Sequence, residues 1–234
     1  LCAYPFLFPT ARKKDLLQME SQVEMINTAA SDVRFDAENQ QVSFDPFWKL
    51  EIDRESLLEQ TFEKIKVTEP SKLRKKLRIV FKGEEGVDAG GVTREFFSLL
   101  SEELFNIGSN ALWTDRFGDQ ITWFNSDCLW DKDGFELTGV LVGLALYNSV
   151  LLDVNFPLAV YRKLLGLPLG LEDMVDKELK RGLQQLLDYD GDCDVEEVFS
   201  LTFEVTWMDL GEEHNVELKP GGSNIAVTNA NREE

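Results

Sequence analysis

The sequence predicts a helix-rich α+β fold with small sheets, and three observations carry that reading. Hydrophobic residues make up 43% of the 234, with 16 Phe and 5 Trp, ample core material and unlike a disordered tail. Apolar residues recur at helical spacing in most of the longer segments. Between them lie short β-prone runs bounded by Gly, Pro and Asp. At roughly 150 residues per domain, a length of 234 residues suggests one or two domains.

Taken in order, Arg12 to Ala30 reads as an amphipathic helix with Leu16, Met19, Val23 and Ile26 on one face. Residues 31–53 read as irregular, with β-prone pieces at Val33-Arg34-Phe35 and Gln41-Val42-Ser43-Phe44. A helix from Arg54 to about Val67 packs Leu57, Leu58, Phe62 and Ile65, and Pro70 breaks the pattern. Leu77 to Phe81 is a strand, followed by the acidic glycine loop 83–91 and a strong helix from Val92 to Asn106. Residues 107–134 read as loop and hairpin, with Ile121-Thr122-Trp123-Phe124 strand-like. Phe135 to Leu152 is a buried helix, and Pro157 opens a short helix reaching Leu165. Glu172 to Tyr189 is amphipathic, a short helix spans Val195 to Phe199, and Leu201 to Val205 is a strand. Val216-Glu217-Leu218, Lys219 to Gly222 and Ile225-Ala226-Val227 spell strand, turn, strand.

With 24 Lys+Arg against 43 Asp+Glu, the formal charge is −19. That argues against a nucleic-acid binder, which needs clustered cations, and against docking on an anionic membrane. A basic protein partner fits better. The most apolar run, Leu137 to Leu152, is shorter than the roughly 20 residues a membrane span needs. Cys2, Cys128 and Cys193 are scattered, with neither a disulfide framework nor zinc spacing, so the expected compartment is reducing: the cytoplasm, with the nucleus also open. The opening Leu1 to Pro9 is apolar but broken by two prolines and reads as a docking segment, and without an initiator Met the chain reads as part of something longer.

The candidate chemistry is sparse. The loop Gly83-Glu84-Glu85-Gly86-Val87-Asp88-Ala89-Gly90-Gly91 sits where a phosphate cradle would, but its carboxylates repel phosphate and no Gly-Lys-Ser/Thr follows. Its glycines instead suit a backbone geometry closed to other residues, at least one of them at positive φ. Asp188, Asp190, Gly191 and Glu197 fall at the third, fifth, sixth and twelfth places of a calcium loop, but Leu186 occupies the first, where a carboxylate is needed. The single histidine, His214, has no sequence link to a cysteine, and the acidic neighbours of Cys128 and Cys193 disfavour a reactive thiolate. No metal or cofactor is expected. The basic cluster Lys72, Arg74, Lys75, Lys76 and Arg78 reads as a solvated surface or a partner for the acidic loop. Leu179, Leu183 and Leu186 recur at i, i+4 and i+7, with Leu187 and Tyr189 beside them and Phe199 and Leu201 after a turn. Spacing alone leaves two readings of that stripe, core or partner groove.

The run Phe81-Lys82-Gly83-Glu84-Glu85-Gly86-Val87-Asp88-Ala89-Gly90-Gly91-Val92-Thr93-Arg94-Glu95-Phe96-Phe97 closely resembles the signature of HECT-type ubiquitin-protein ligases. The resemblance continues, in family order, through Glu103 to Asn106, Trp123-Phe124-Asn125, Gly139 to Asn148, Leu151 to Pro157, Val160 to Leu164 and Val227 to Arg232. It implies the N-terminal lobe of a HECT domain: a large subdomain of about 1–165 and 207–234, and a small conjugating-enzyme-binding subdomain of about 166–206. It implies that the lobe recruits a ubiquitin-conjugating enzyme, and that ubiquitin passes through a cysteine thioester in a C-terminal lobe to substrate lysines. The chain would stop before that lobe, so none of its three cysteines is the nucleophile and the fragment alone would be an inactive part of a transferase. Leu179, Leu183, Leu186, Tyr189, Phe199 and Leu201 resemble the family's groove for the conjugating enzyme. The implied partners are that enzyme, ubiquitin, and a protein substrate held by regions outside this chain. A reading of another class is a non-catalytic, acidic protein-interaction module.

Overall fold

The computed structural model describes residues 5–36, 41–84, 90–106, 112–114, 121–125, 132–209 and 212–234. Cys2, Cys128 and the loop acids Glu85 and Asp88 lie outside them. The fold is mixed α+β and helix-rich, with four two-stranded sheets among the described residues. The chain divides into two compact units, Leu1–Asn110 with Trp130–Val154, and Ala111–Leu129 with Asn155–Glu234. Residues 166–206, read from sequence as a partner-binding subdomain, fall wholly within the second unit, together with 207–234.

The first unit opens with α1 (Thr10–Ser31), then β1 (Arg34–Asp36) and β2 (Gln41–Ser43), an antiparallel pair. Next come β3 (Phe47–Ile52), α2 (Leu57–Val67), the single turn α3 (Pro70–Leu73) and β4 (Lys76–Phe81). β3 and β4 are parallel, with Trp48 opposite Leu77 and Ile52 opposite Phe81, because α2 and α3 supply the crossover that a parallel pair requires. Alternation buries Trp48, Leu50, Ile52, Leu77, Ile79 and Phe81 on one face. α4 (Gly91–Leu104) follows, and α5 (Lys132–Tyr147) closes the set. α2 buries Leu57, Leu58, Phe62 and Ile65 as the periodicity predicts, and α4 packs Phe96, Phe97, Leu100 and Leu104 beside α2 and β4.

Gly90 is the N-cap of α4 at φ 104°, a left-handed conformation expensive for any residue with a Cβ. Arg54 braces the same region. Its guanidinium lies 3.8 Å over the Phe81 ring, chelates the Glu84 carboxylate and bridges to Glu95 of α4 at 2.9 Å. Those bonds hold the Glu84 carboxyl below its ordinary range and push the guanidinium's proton affinity up.

Three readings need correction here. Residues 47–52 are a strand and not irregular; the alternation at Trp48, Leu50 and Ile52 is short, and its partner lies beyond a helix. The α1 stripe is not the packed face: Met19, Val23 and Ile26 are exposed, while Ser21 and Ala29 are buried. α1 packs on α5, and small side chains permit that close approach. The partner of Glu84 is Arg54, not the 72–78 cluster, whose Arg74 reaches Glu24 and whose buried Lys75 is held by Asp32 and the Asp45 carbonyl.

The second unit contains the antiparallel pair β5 (Trp113–Thr114) and β6 (Trp123–Phe124), with Phe156 against the Trp113 ring at 5.4 Å. α6 (Leu158–Leu164), α7 (Lys177–Asp188) and α8 (Val195–Phe199) follow, then the antiparallel pair β7 (Glu204–Asp209) and β8 (Glu212–Glu217). The closing hairpin is therefore 204–217 and not 216–227. β8 reads Glu-Glu-His-Asn-Val-Glu, too polar for its strand character to show by alternation. Lys219 to Gly222 does turn the chain, Val227 then donates to the Leu201 carbonyl at 2.8 Å, and Thr202 bridges to Ala226.

Candidate functional site

The stripe on α7 is built from its two ends. Asp176 caps the helix, its carboxylate accepting from the backbone N–H of Glu178 at 3.0 Å and Leu179 at 2.9 Å. At the other end the Arg232 guanidinium donates to the carbonyls of Leu186 at 3.3 Å and Tyr189 at 2.6 Å, satisfying groups the helix leaves open. Lys180 adds a bond to the Glu172 carbonyl at 3.1 Å. α7 is thereby fixed in rotation, so its apolar face has one direction.

Leu186 is 5% exposed and forms a small core with Val195 and Val227, against which Leu183, Tyr189, Phe199 and Phe203 pack half-buried. The Tyr189 and Phe199 rings meet edge to face at 5.5 Å and 87°. Gly191 lies under Tyr189 so closely that a Cβ there would fall 2.4 Å from the phenol oxygen. Leu179 and Leu201 behave differently, at 51% and 42% exposure, and Val198 is also exposed. Of the six predicted groove residues, the structure gathers Leu183, Leu186, Tyr189 and Phe199 into one cluster and leaves Leu179 and Leu201 facing water. The two readings of the stripe thus divide by residue: Leu186 is core, and the outer leucines are surface.

Sequence reasoning missed Val195, Phe203, Val227 and Arg232. Val195 carried a signal, an apolar residue opening a short helix after an acidic turn. Val227 and Arg232 reach this place from 40 or so residues away, and no local pattern announces that.

The surroundings are acidic. Asp188, Asp190, Asp192, Asp194, Glu196 and Glu197 are all exposed, and between Arg181 and Lys219 the chain has no Lys or Arg. Among the described residues no three of His, Cys, Asp or Glu converge as metal ligands would. Cys193 is a free, exposed thiol in the acidic turn, and His214 stacks on Trp207 at 5.5 Å. The arrangement offers apolar shape and negative charge, the equipment of a docking surface.

Residues 98–234, more than half the chain, match the family model described as HECT-domain (ubiquitin-transferase). The chain belongs to the HECT family. It is 38% identical over its whole length to the human "Probable E3 ubiquitin-protein ligase HERC3", covering 23% of that protein. It is 35% identical to "Probable E3 ubiquitin-protein ligase mug30" of Schizosaccharomyces pombe, covering 29%, and 34% identical to human "Probable E3 ubiquitin-protein ligase HECTD2", covering 32%. In each case the whole of this HECT chain is matched, and it spans less than a third of the relative's length. The α7–α8 region lies within the residues matched by the family model, and Arg54 and Gly90 lie within the length aligned to these relatives. Among the described residues no helix is long and apolar enough to cross a membrane.

Proposed function

We propose that this chain is the N-terminal lobe of a HECT ubiquitin ligase and that its α7–α8 face recruits a ubiquitin-conjugating enzyme. The observation that carries the reading is the split within one apolar stripe. Leu186 anchors the helix, while Leu179 and Leu201 hold more than two fifths of their surface in water. Large aliphatic groups left exposed, Leu179 on a helix pinned at both ends and Leu201 just after α8, are what a preorganised recognition surface requires. The carboxylates from Asp188 to Glu197, in a stretch of sequence without Lys or Arg between Arg181 and Lys219, favour a partner with a basic loop bearing an apolar or aromatic anchor.

In the reaction that membership implies, a ligase cysteine thiolate attacks the carbonyl of the enzyme-bound ubiquitin thioester and expels the conjugating enzyme's thiolate. A substrate lysine amine then attacks the new thioester and expels the ligase thiolate, leaving an isopeptide bond. Cys193 is not assigned that role, since it sits exposed between Asp192 and Asp194, whose carboxylates disfavour a thiolate. Its free thiol fits a reducing compartment, the cytoplasm or nucleus. The acidic-module reading parts from this one in a single experiment. Mixed with activating enzyme, ubiquitin and a panel of conjugating enzymes, the chain should bind charged conjugating enzyme yet form no thiol-sensitive ubiquitin adduct. Failure to bind any member of the panel would refute recruitment, and an adduct abolished by Cys193→Ser would refute the assignment of Cys193.

A further inference from the structure

We propose that the first unit carries a second binding site, a cationic cavity for a phosphoryl group, which does not rest on the recruitment reading. A cavity of about 490 Å³ opens beside the parallel strand pair, lined by Lys76 and Arg78 of β4, Arg94 of α4, and Asn148 and Ser149 after α5. Three cations around one cavity are unexpected in a chain of charge −19. Among the described residues lining it there is no carboxylate, and none of the three cations makes an ion pair.

The fold explains why they converge. Residues 76 and 78 alternate onto the face of β4 opposite its buried Leu77 and Ile79, so both cations point the same way. The Arg78 guanidinium is held 3.4 Å over the Phe47 ring of the paired strand, which fixes its plane without using its donors on a carboxylate. Asn148 is locked, accepting from the Leu77 N–H at 3.1 Å and donating to the Leu144 carbonyl at 2.9 Å. It holds the turn in which Ser149 takes a left-handed φ of 61°. Arg94 lies in the first turn of α4, which has no acidic side chain and whose dipole favours an anion. A neighbouring cavity of about 680 Å³ shares Arg94 and Ser149 and adds Lys14, together with Glu102 and Asp153. The anion therefore belongs on the Lys76–Arg78 side, where no carboxylate lines the cavity among the described residues.

Guanidinium forks and an ammonium around a few hundred Å³ match a compact dianion. An extended polyanion, such as nucleic acid or a lipid surface, would meet the rest of an acidic molecule. The shared chemistry is thus the phosphoryl group, borne either by free phosphate or by a phosphorylated side chain of a protein.

Calorimetry in about 150 mM salt, where exposed charges are well screened, tests this with inorganic phosphate, a phosphoserine tripeptide and the same tripeptide unphosphorylated. Saturable binding of phosphate or of the phosphopeptide, absent for the unphosphorylated peptide, is expected. Arg94→Gln and Lys76→Gln should each weaken it about tenfold, the loss of one charge-assisted contact, with unchanged melting because both side chains are exposed and unpaired. Lys163→Gln, in the other unit, should bind as the parent does. A phosphopeptide at least tenfold tighter than phosphate assigns the site to a modified protein, and equal affinities assign it to free phosphate. Lack of saturation by either probe, or binding unaltered in both Arg94→Gln and Lys76→Gln, overturns the proposal.

Discussion

The β3–β4 layer and the α7–α8 region use the same residue types and finish them differently. In the first, Leu50, Ile52, Leu77, Ile79 and Phe81 are all buried, sealed by α2 and α4. In the second, a stripe of equal hydrophobic quality runs from Leu186, buried, to Leu179, open to water, and only a small cluster seals its inner end. The first spends its apolar surface on stability. The second keeps part of it unspent, held in place by Asp176 and Arg232 and not by a thick core. Apolar periodicity therefore reports a face, and the neighbours of that face decide whether it is structural or available.

The comparison makes ordered predictions, the largest of them in the first unit. Phe97→Ala, removing a fully buried ring of α4, should cost about 3–5 kcal/mol in urea unfolding. A value under about 1 kcal/mol would mean that this layer is no better sealed than the α7–α8 stripe. Leu186→Ala should cost about 2–4 kcal/mol, less because its cluster is smaller and can collapse, whereas Leu179→Ala should stay within about 0.5 kcal/mol. Equal effects at the two positions would erase the division proposed for the stripe.

Gly90→Ala should lose about 1–2 kcal/mol from the left-handed φ alone, since a Cβ there meets no atom of the described residues, while Gly91→Ala, at the helix start, should melt like the parent. Equal melting of the two variants would remove backbone geometry as the reason for that glycine pair.

The smallest effect is a pH dependence, to which Glu84 contributes in the first unit and Glu217 in the second. Glu84 is held below its ordinary 4.5 by hydrogen bonds from Arg54, and Glu217 by those from the Ser223 hydroxyl and N–H and the Gly221 N–H. A carboxyl whose folded pKa is depressed binds its proton less readily than in the unfolded chain. Its contribution is complete above about 4.5 and is lost as pH falls through the folded value. Arg54→Met and Ser223→Ala should each flatten the acid limb of stability against pH while leaving its slope near neutrality unchanged. An acid limb unaltered in both would contradict these pairings.

The legibility of the sequence followed the range of the interactions. α2 and α4 were readable because their periodic apolar faces are local, and the demand for positive φ near Gly90 was readable because two adjacent glycines at a helix start have few other uses. β3 was not, since its parallel partner lies two helical elements away. The polar β8 was not, because its strand character comes from pairing with β7 and not from burial. On α1 the apolar stripe pointed to the wrong face, since Ser21 and Ala29 pack by smallness, which a hydrophobicity pattern cannot register. Four of the six stripe residues pack into one cluster, but the division of the stripe into anchor and surface depends on Val195, Val227 and Arg232, which arrive from elsewhere in the chain.

That division is tested most directly by the affinity of Leu179→Ala for a ubiquitin-conjugating enzyme bound by the parent, with the melting temperature of the variant recorded alongside. The account predicts unchanged melting and a loss of affinity of about tenfold or more, the cost of removing an exposed anchor from a transient interface. A Leu179→Ala variant that melts like the parent and binds the enzyme equally well would contradict it.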